Sequence, residues 1–345
     1  MYTNPHTKFV YLGKEYSVHE LVKIPNVPNW LRCIQLQLQN ILNKEDQIGF
    51  QTSGSTGDPK KIWLKKKVIV ASAQKTLAFF QLTQGHSAAL ILPAQFIGGA
   101  MLLVRSLIGG LSVHLHEPIL CPKGVESVDF ISCTPAQLMA LYKAGQLDAF
   151  KGTILLGGSS LPEGIHMDSL NVYIGYGMTE TASHVALRSI NSAHYTALEG
   201  VTFSAKKGAL VIHAPHLEIS ELITNDEVEL LDNKSFKFIG RLDDTINSGG
   251  LKIHPLEIEQ YFSSKGFEVY ISAVPHKDFG EAAVLITQFK ISKHRLKKIL
   301  DVLPKNKRPK FQLNILEFPR VASGKIDRKS IRIMVKESQH LLSPL

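Results

Sequence analysis

Five short apolar runs, at residues 88–92, 112–115, 130–132, 153–156 and 172–174, punctuate the first half of the chain at intervals long enough for a helix between neighbours. Runs without polar alternation suit strands covered on both faces, and parallel strands of that kind need crossover helices. Residues 135–144 supply one such helix, with apolar positions at helical spacing. The alternation predicts a doubly wound α/β layer structure. From Gly208 the texture changes. Ala-Leu-Val-Ile-His, then Glu227-Val-Glu-Leu-Leu, an Asp232-Asn-Lys-Ser turn and Phe236-Lys-Phe-Ile form a hairpin signature. We place a boundary just beyond Gly240-Arg241. Residues 1–240 are then a large α/β domain with a β-rich subdomain, and residues 241–345 a small α+β module.

Two domains also follow from length, because 345 residues exceed what one core usually serves, and the 44% apolar content can fill both. The three cysteines, Cys33, Cys121 and Cys133, lack the spacing of a zinc or redox site, and no secretory pattern opens the chain. A reducing, cytoplasmic setting is expected. The most apolar stretch, 88–104, is interrupted by Pro93, Gln95, Gly98 and Gly99 and ended by Arg105, so no integral membrane segment is expected. Net charge is +9, concentrated where Lys293, Arg295, Lys297, Lys298, Lys305, Lys307, Arg308 and Lys310 face Asp301 alone. Without a helix-turn-helix, zinc-finger or RNA-recognition signature, this patch reads as a solvated face or a landing surface for an anionic metabolite, and nucleic acid is not an expected partner.

Four clusters carry chemistry. Gln51-Thr-Ser-Gly-Ser-Thr-Gly-Asp-Pro-Lys60 is a turn whose glycines let backbone N–H groups approach phosphate oxygens, while Ser and Thr hydroxyls and Lys60 add donors. It lacks the Gly-Lys-Ser/Thr ending of a Walker A loop, which disfavours an ordinary P-loop ATPase. Tyr173-Ile-Gly-Tyr-Gly-Met-Thr-Glu180 places a ring, a hydroxyl and a carboxylate after a strand, where ligands bind in open α/β sheets. Tyr176 can stack on a purine, Thr179 can donate to a phosphate, and Glu180 is a hard oxygen ligand for magnesium. Thr224-Asn-Asp226 and, 15 residues on, Arg241-Leu-Asp243-Asp244 bracket one hairpin, as ribose ligands or as a cross-hairpin ion pair. Arg320-Val-Ala-Ser-Gly-Lys325 presents a lysine on a glycine-supported loop.

In order and spacing these clusters resemble the adenylate-forming superfamily of acyl-CoA synthetases, peptide-synthetase adenylation domains and firefly-type luciferases. The likeness extends through Leu156-Gly-Gly-Ser-Ser, Asn247-Ser-Gly-Gly-Leu-Lys252, Glu257-Ile-Glu259 and Phe279-Gly-Glu281, from about residue 51 to 332. It implies ATP, Mg2+ and CoA as cofactors and a small carboxylic acid as substrate. By resemblance, Thr52, Ser53, Gly54, Ser55, Thr56, Gly57 and Lys60 hold the β- and γ-phosphates. Gly157, Gly158 and Ser159 line the adenine, Tyr176 with Gly177 stacks on it, Thr179 and Glu180 serve phosphate and metal, and Asp226 and Arg241 grip the ribose. Lys325 is the catalytic lysine. Asp243 matches the hinge of a mobile small domain, and Ser248, Gly249, Gly250 and Lys252 match the pantetheine-side loop.

Within the superfamily, Gly177-Met-Thr-Glu-Thr-Ala-Ser183 is most similar to the o-succinylbenzoate:CoA ligases of menaquinone synthesis, whose substrate has a second carboxylate; His184 and Arg188 are candidate partners for it. Three departures stand out. About a hundred residues usual before the phosphate loop are missing, so part of the acyl-pocket wall is absent or comes from a partner chain, which leaves a homo-oligomer open. Phe96 stands where many relatives have histidine, and Asn225 replaces the usual glycine before the ribose aspartate. Other readings are another aryl or acyl acid:CoA ligase, an adenylating enzyme that loads a carrier protein, and a nucleotide-binding regulator without catalysis.

Overall fold

The computed structural model describes residues 3–51, 61–157, 167–320 and 326–345. The five expected apolar runs form Ser87–Leu90, Ser112–Leu115, Phe130–Cys133, Thr153–Leu156 and Asn171–Gly177, all parallel to their neighbours among these five. They are five adjacent strands of a 13-stranded sheet. At one end Lys8–Tyr11 joins Ser112–Leu115 in parallel and Lys14–Tyr16 closes the edge, so the opening residues extend the sheet. At the other end the sheet turns antiparallel through His184–Ser189, His194–Ala197, Ser235–Arg241, Ile219–Leu230, Ala209–Ala214 and Thr202–Lys206. The architecture is α/β with a β-rich portion.

Helix termini follow their local chemistry. Thr134 and Gln137 form a reciprocal capping box ahead of Pro135–Lys143, with proline at the first turn where its missing N–H costs nothing. Helix Ile97–Gly109 ends on Gly110 in the left-handed region at φ 70°. Asn29–Leu42 buries Leu31, Ile34, Leu38 and Ile41 at helical spacing, and the buried Gln35 amide donates to the Leu21 and Ile24 carbonyls. Among the described residues no helix is long and apolar enough to cross a membrane.

A second, six-stranded sheet holds Ile246–Ser248, Leu251–Ile253, Val269–His276, Gly280–Thr287, Phe311–Asn314 and Ser343–Pro344. One face buries Ile258, Phe262, Leu296 and Ile299 from helices Pro255–Ser264 and Lys293–Val302. The other buries Phe318 with Ile331 and Val335 from helix Arg328–Glu337. The cores of the two sheets share no residue: the larger runs from Phe9 to Phe238, and the smaller ones begin at Ile246.

Candidate active site

The hairpin of Ile219–Leu230 and Ser235–Arg241 sets Asp226 directly opposite Arg241. Tyr176, at the carboxyl end of the last parallel strand, donates its hydroxyl to Asp226 Oδ2 at 2.5 Å. Arg241 stands 3.7 Å from Asp226 Oδ1 and makes a two-pronged contact with Asp243, at 2.9 and 3.1 Å. Tyr176, Asp226, Arg241 and Asp243 are thus one chain of contacts drawn from three separated stretches. Burial raises the Asp226 pKa, opposed by the Tyr176 hydrogen bond and the Arg241 charge. Asp243 moves the other way, because the hydrogen bond and charge of Arg241 outweigh its burial. The Tyr176 ring is itself buried, edge-on to Phe236 and tilted against Tyr195 and Phe238.

Beyond Tyr176 the chain makes a tight turn. A Cβ on Gly177 would lie 2.2 Å from the Ser183 carbonyl oxygen and 2.5 Å from His184 Cα, so only glycine fits. Thr179 and Glu180 sit on a short 3-10 turn, with Glu180 exposed. The turn is pinned by the buried Thr181, whose hydroxyl accepts from the Met178 N–H and contacts the Ser183 carbonyl at 2.6 Å. Ala182 takes φ 61°, a left-handed conformation that costs a non-glycine residue about 1–3 kcal/mol and is typical of functional turns.

His184 is buried just past this turn, its ring nitrogens 3.2 Å from the Thr76 and Ser183 hydroxyls. Burial, with the charge of Arg105, holds its pKa well below the usual histidine range, so the ring is neutral. Arg105 is only 2% exposed, and its guanidinium donates to Ser183 Oγ at 2.7 Å. Its Nε has no hydrogen-bond partner and no carboxylate pairs with it among the described residues; burial lowers its pKa to about 9. Arg188, the cation expected from sequence, lies four residues further along the strand, where it donates to the Ser192 carbonyl and covers the Tyr195 ring.

On the second sheet, Gly249 and Gly250 make a two-residue hairpin turn with φ 60° and 79°, joining Ser248 to Leu251. Ser248 is buried, and Lys252 reaches Glu227 on the large sheet at 3.4 Å. Asp244, next to Asp243, is paired with Arg332 and lies 3.6 Å from Arg328, both on helix Arg328–Glu337.

The family described as AMP-binding enzyme matches residues 26–215, more than half of the chain. This chain belongs to the AMP-binding enzyme family. Among relatives of this AMP-binding enzyme, a 2-succinylbenzoate–CoA ligase of Listeria monocytogenes serotype 4b is 27% identical over 320 residues, covering 81% of this chain and 68% of the relative. One from Escherichia coli K12 is 25% identical, covering 84% and 69%. Among solved structures, an acyl-CoA synthetase (AMP-forming)/AMP-acid ligase II-like protein of Dyadobacter fermentans is 29% identical with a TM-score of 0.59, covering 90% of this chain and 95% of that one. The o-succinylbenzoate CoA synthetase of Bacillus subtilis, in complex with its acyl-adenylate intermediate, is 24% identical with a TM-score of 0.71, covering 82% and 68%.

Several expected site residues of the AMP-binding enzyme, namely Thr52, Ser53, Gly54, Ser55, Thr56, Gly57, Lys60, Gly158, Ser159 and Lys325, lie outside the described residues. Gly157 is described: it follows the fourth parallel strand, with its N–H on the Cys133 carbonyl and, among the described residues, no atom where a Cβ would point. The donor set fits a magnesium nucleotide. Among the described residues no group of three or more His, Cys, Asp or Glu could hold a metal alone, whereas the single exposed carboxylate of Glu180 suits an ion ligated mainly by phosphate and water. Sequence reasoning missed Arg105, treating it as the end of an apolar stretch. Helix Ile97–Gly109 continues through it, and the available signal was a lone charge flanked by Leu102, Leu103, Val104 and Leu107.

Proposed function

We propose that this AMP-binding enzyme is an ATP-dependent, AMP-forming carboxylate:CoA ligase that works through an acyl-adenylate, with o-succinylbenzoate of menaquinone synthesis as its acid. The observation that carries the reading is the contact chain Tyr176–Asp226–Arg241, which sets a carboxylate and a guanidinium at a strand-end site suited to ribose hydroxyls. The names of the relatives support the same activity. Arg105 supports the particular acid: a buried cation without a carboxylate partner among the described residues, beside a neutral histidine and two hydroxyls, would complement a second substrate carboxylate.

In the first half-reaction a substrate carboxylate oxygen bonds to the α-phosphorus of ATP and the bond to pyrophosphate breaks. The carboxylate is ionised at neutral pH, so no general base is needed; the protein aligns two anions and offsets their repulsion. Magnesium, when bound at Glu180, neutralises phosphate charge. The hydroxyl- and glycine-rich turn with Lys60 holds the outer phosphates, Gly157 and its successors flank the adenine, and Lys325 supplies the charge that compensates transfer. In the second half-reaction the CoA sulfur attacks the acyl carbon, its proton leaves to solvent, and AMP departs. In this reading residues 241–345 turn about Asp243 between the two steps, so that Lys325 gives way to the Ser248–Gly249–Gly250 turn and Lys252.

The test is acid-dependent pyrophosphate release and thioester formation with dicarboxylic aryl, monocarboxylic aryl, fatty and short acids. We expect o-succinylbenzoate to be preferred; preference for a monocarboxylate would remove that assignment. Lys325→Ala should lose adenylation by about 10²–10³-fold, the loss typical of a transition-state donor, yet still convert supplied acyl-adenylate and CoA to thioester. Equal loss of both steps would make Lys325 structural.

A further inference from the structure

Glu227 follows Asp226 on the same strand, and successive residues of a strand face opposite sides. Asp226 turns to Tyr176 and Arg241, while Glu227 turns to the second sheet: its Oε1 lies 3.4 Å from Lys252 Nζ, and its Oε2 lies 3.7 Å from His254 Nδ1. The pairing of the hairpin shifts register between Glu227 and Val228, the kind of irregularity that re-aims a side chain beside a site. Glu227 is 14% exposed and His254 15%. Glu227 Oε2 and His254 Nδ1 are both buried without a hydrogen-bond partner among the described residues, so each is the nearest remedy for the other. Lys252 is carried there by the Gly249–Gly250 turn, and His254 by the start of helix Pro255–Ser264.

We propose that Glu227 is a positioning residue that clamps the acceptor-side turn, through Lys252 and His254, to the strand that carries Asp226. The clamp holds the orientation in which that turn faces the nucleotide end for thiol transfer, and it opens when the small unit turns for adenylation. This rests on the two-step ligase reading above. Because Asp226 and Glu227 are consecutive, a strand shift at the nucleotide is felt directly at the clamp, which links occupancy of the site to release of the small unit.

The orientation can be read without substrates. Spin labels at Lys207→Cys, in the exposed turn between Thr202–Lys206 and Ala209–Ala214 of the large sheet, and at Lys297→Cys, exposed on helix Lys293–Val302 against the second sheet, in a Cys33→Ser, Cys121→Ser background of the 345-residue chain report the distance between the two units. Glu227→Gln, and separately His254→Gln, should add a second distance population to the one seen with Glu227 intact. An unchanged distribution in both variants overturns the clamp. With substrates, Glu227→Gln should slow thioester formation from supplied acyl-adenylate and CoA by about tenfold while pyrophosphate release stays within about twofold. Equal slowing of both steps, or of neither, also overturns it. Absence of acid-dependent pyrophosphate release in the unmodified protein would instead sink the ligase reading, and the distance measurement would still decide the clamp.

Discussion

Arg105 carries the one charge of an otherwise uncharged helix into the large core, and the role proposed for it draws on the same burial that makes it costly. A buried cation without a counter-ion is unfavourable until a ligand supplies one. Arg105→Met should therefore stabilise the free protein, by about 1–4 kcal/mol if it behaves like other buried-charge replacements. The same change should raise KM for a dicarboxylate by about 10- to 100-fold, as expected for a charged hydrogen bond worth about 1.5–3 kcal/mol. Thermal unfolding and steady-state kinetics on one preparation check both signs.

His184 beside it predicts a pH dependence of stability. Its folded-state pKa lies well below the ordinary 6.5, so below pH 6.5 the unfolded chain takes up a proton that the folded chain refuses. Stability from this residue is complete above pH 6.5 and falls as pH drops toward the folded value, at up to about 1.4 kcal/mol per pH unit. His184→Gln should flatten that part of the curve, measured as urea midpoints between pH 7 and 5.

At the scale of elements, the turn after Tyr176 depends on a single missing Cβ. Gly177→Ala would drive a carbon into the Ser183 carbonyl and the His184 backbone, neither of which is a flexible side-chain end. Overpacking of this kind costs about 1–3 kcal/mol. Here it should also displace Thr179 and Glu180, so the urea midpoint should fall and adenylation should fall further than stability alone explains. The parallel strands were legible because unbroken apolar runs with helical spacers leave little choice, and residues 153–156 and 112–115 coincide with the observed strands. Lys8–Tyr11 was only weakly legible: four residues of mixed polarity pair locally with Lys14–Tyr16, but their place in the large sheet depends on Ser112–Leu115, about a hundred positions away.

At the scale of the molecule, one continuous sheet carries both the parallel strands that end in the Gly177 turn and the antiparallel hairpin that carries Asp226 and Arg241, and the second sheet touches it through Glu227. Part of the site's geometry was readable from residue order: a strand-end tyrosine and an Asp and Arg bracketing one hairpin follow from side-chain chemistry and local period. Which cation the fold buries was not. Arg188 donates to the Ser192 carbonyl and covers Tyr195 close by in the chain, whereas Arg105 is buried and reaches Ser183 across 78 residues. Residue order and period act locally and set the elements and their chemistry. Desolvation and pairing depend on neighbours that only packing brings within reach, and so the burial of Arg105 and the Glu227 contact between sheets exist only in the folded molecule.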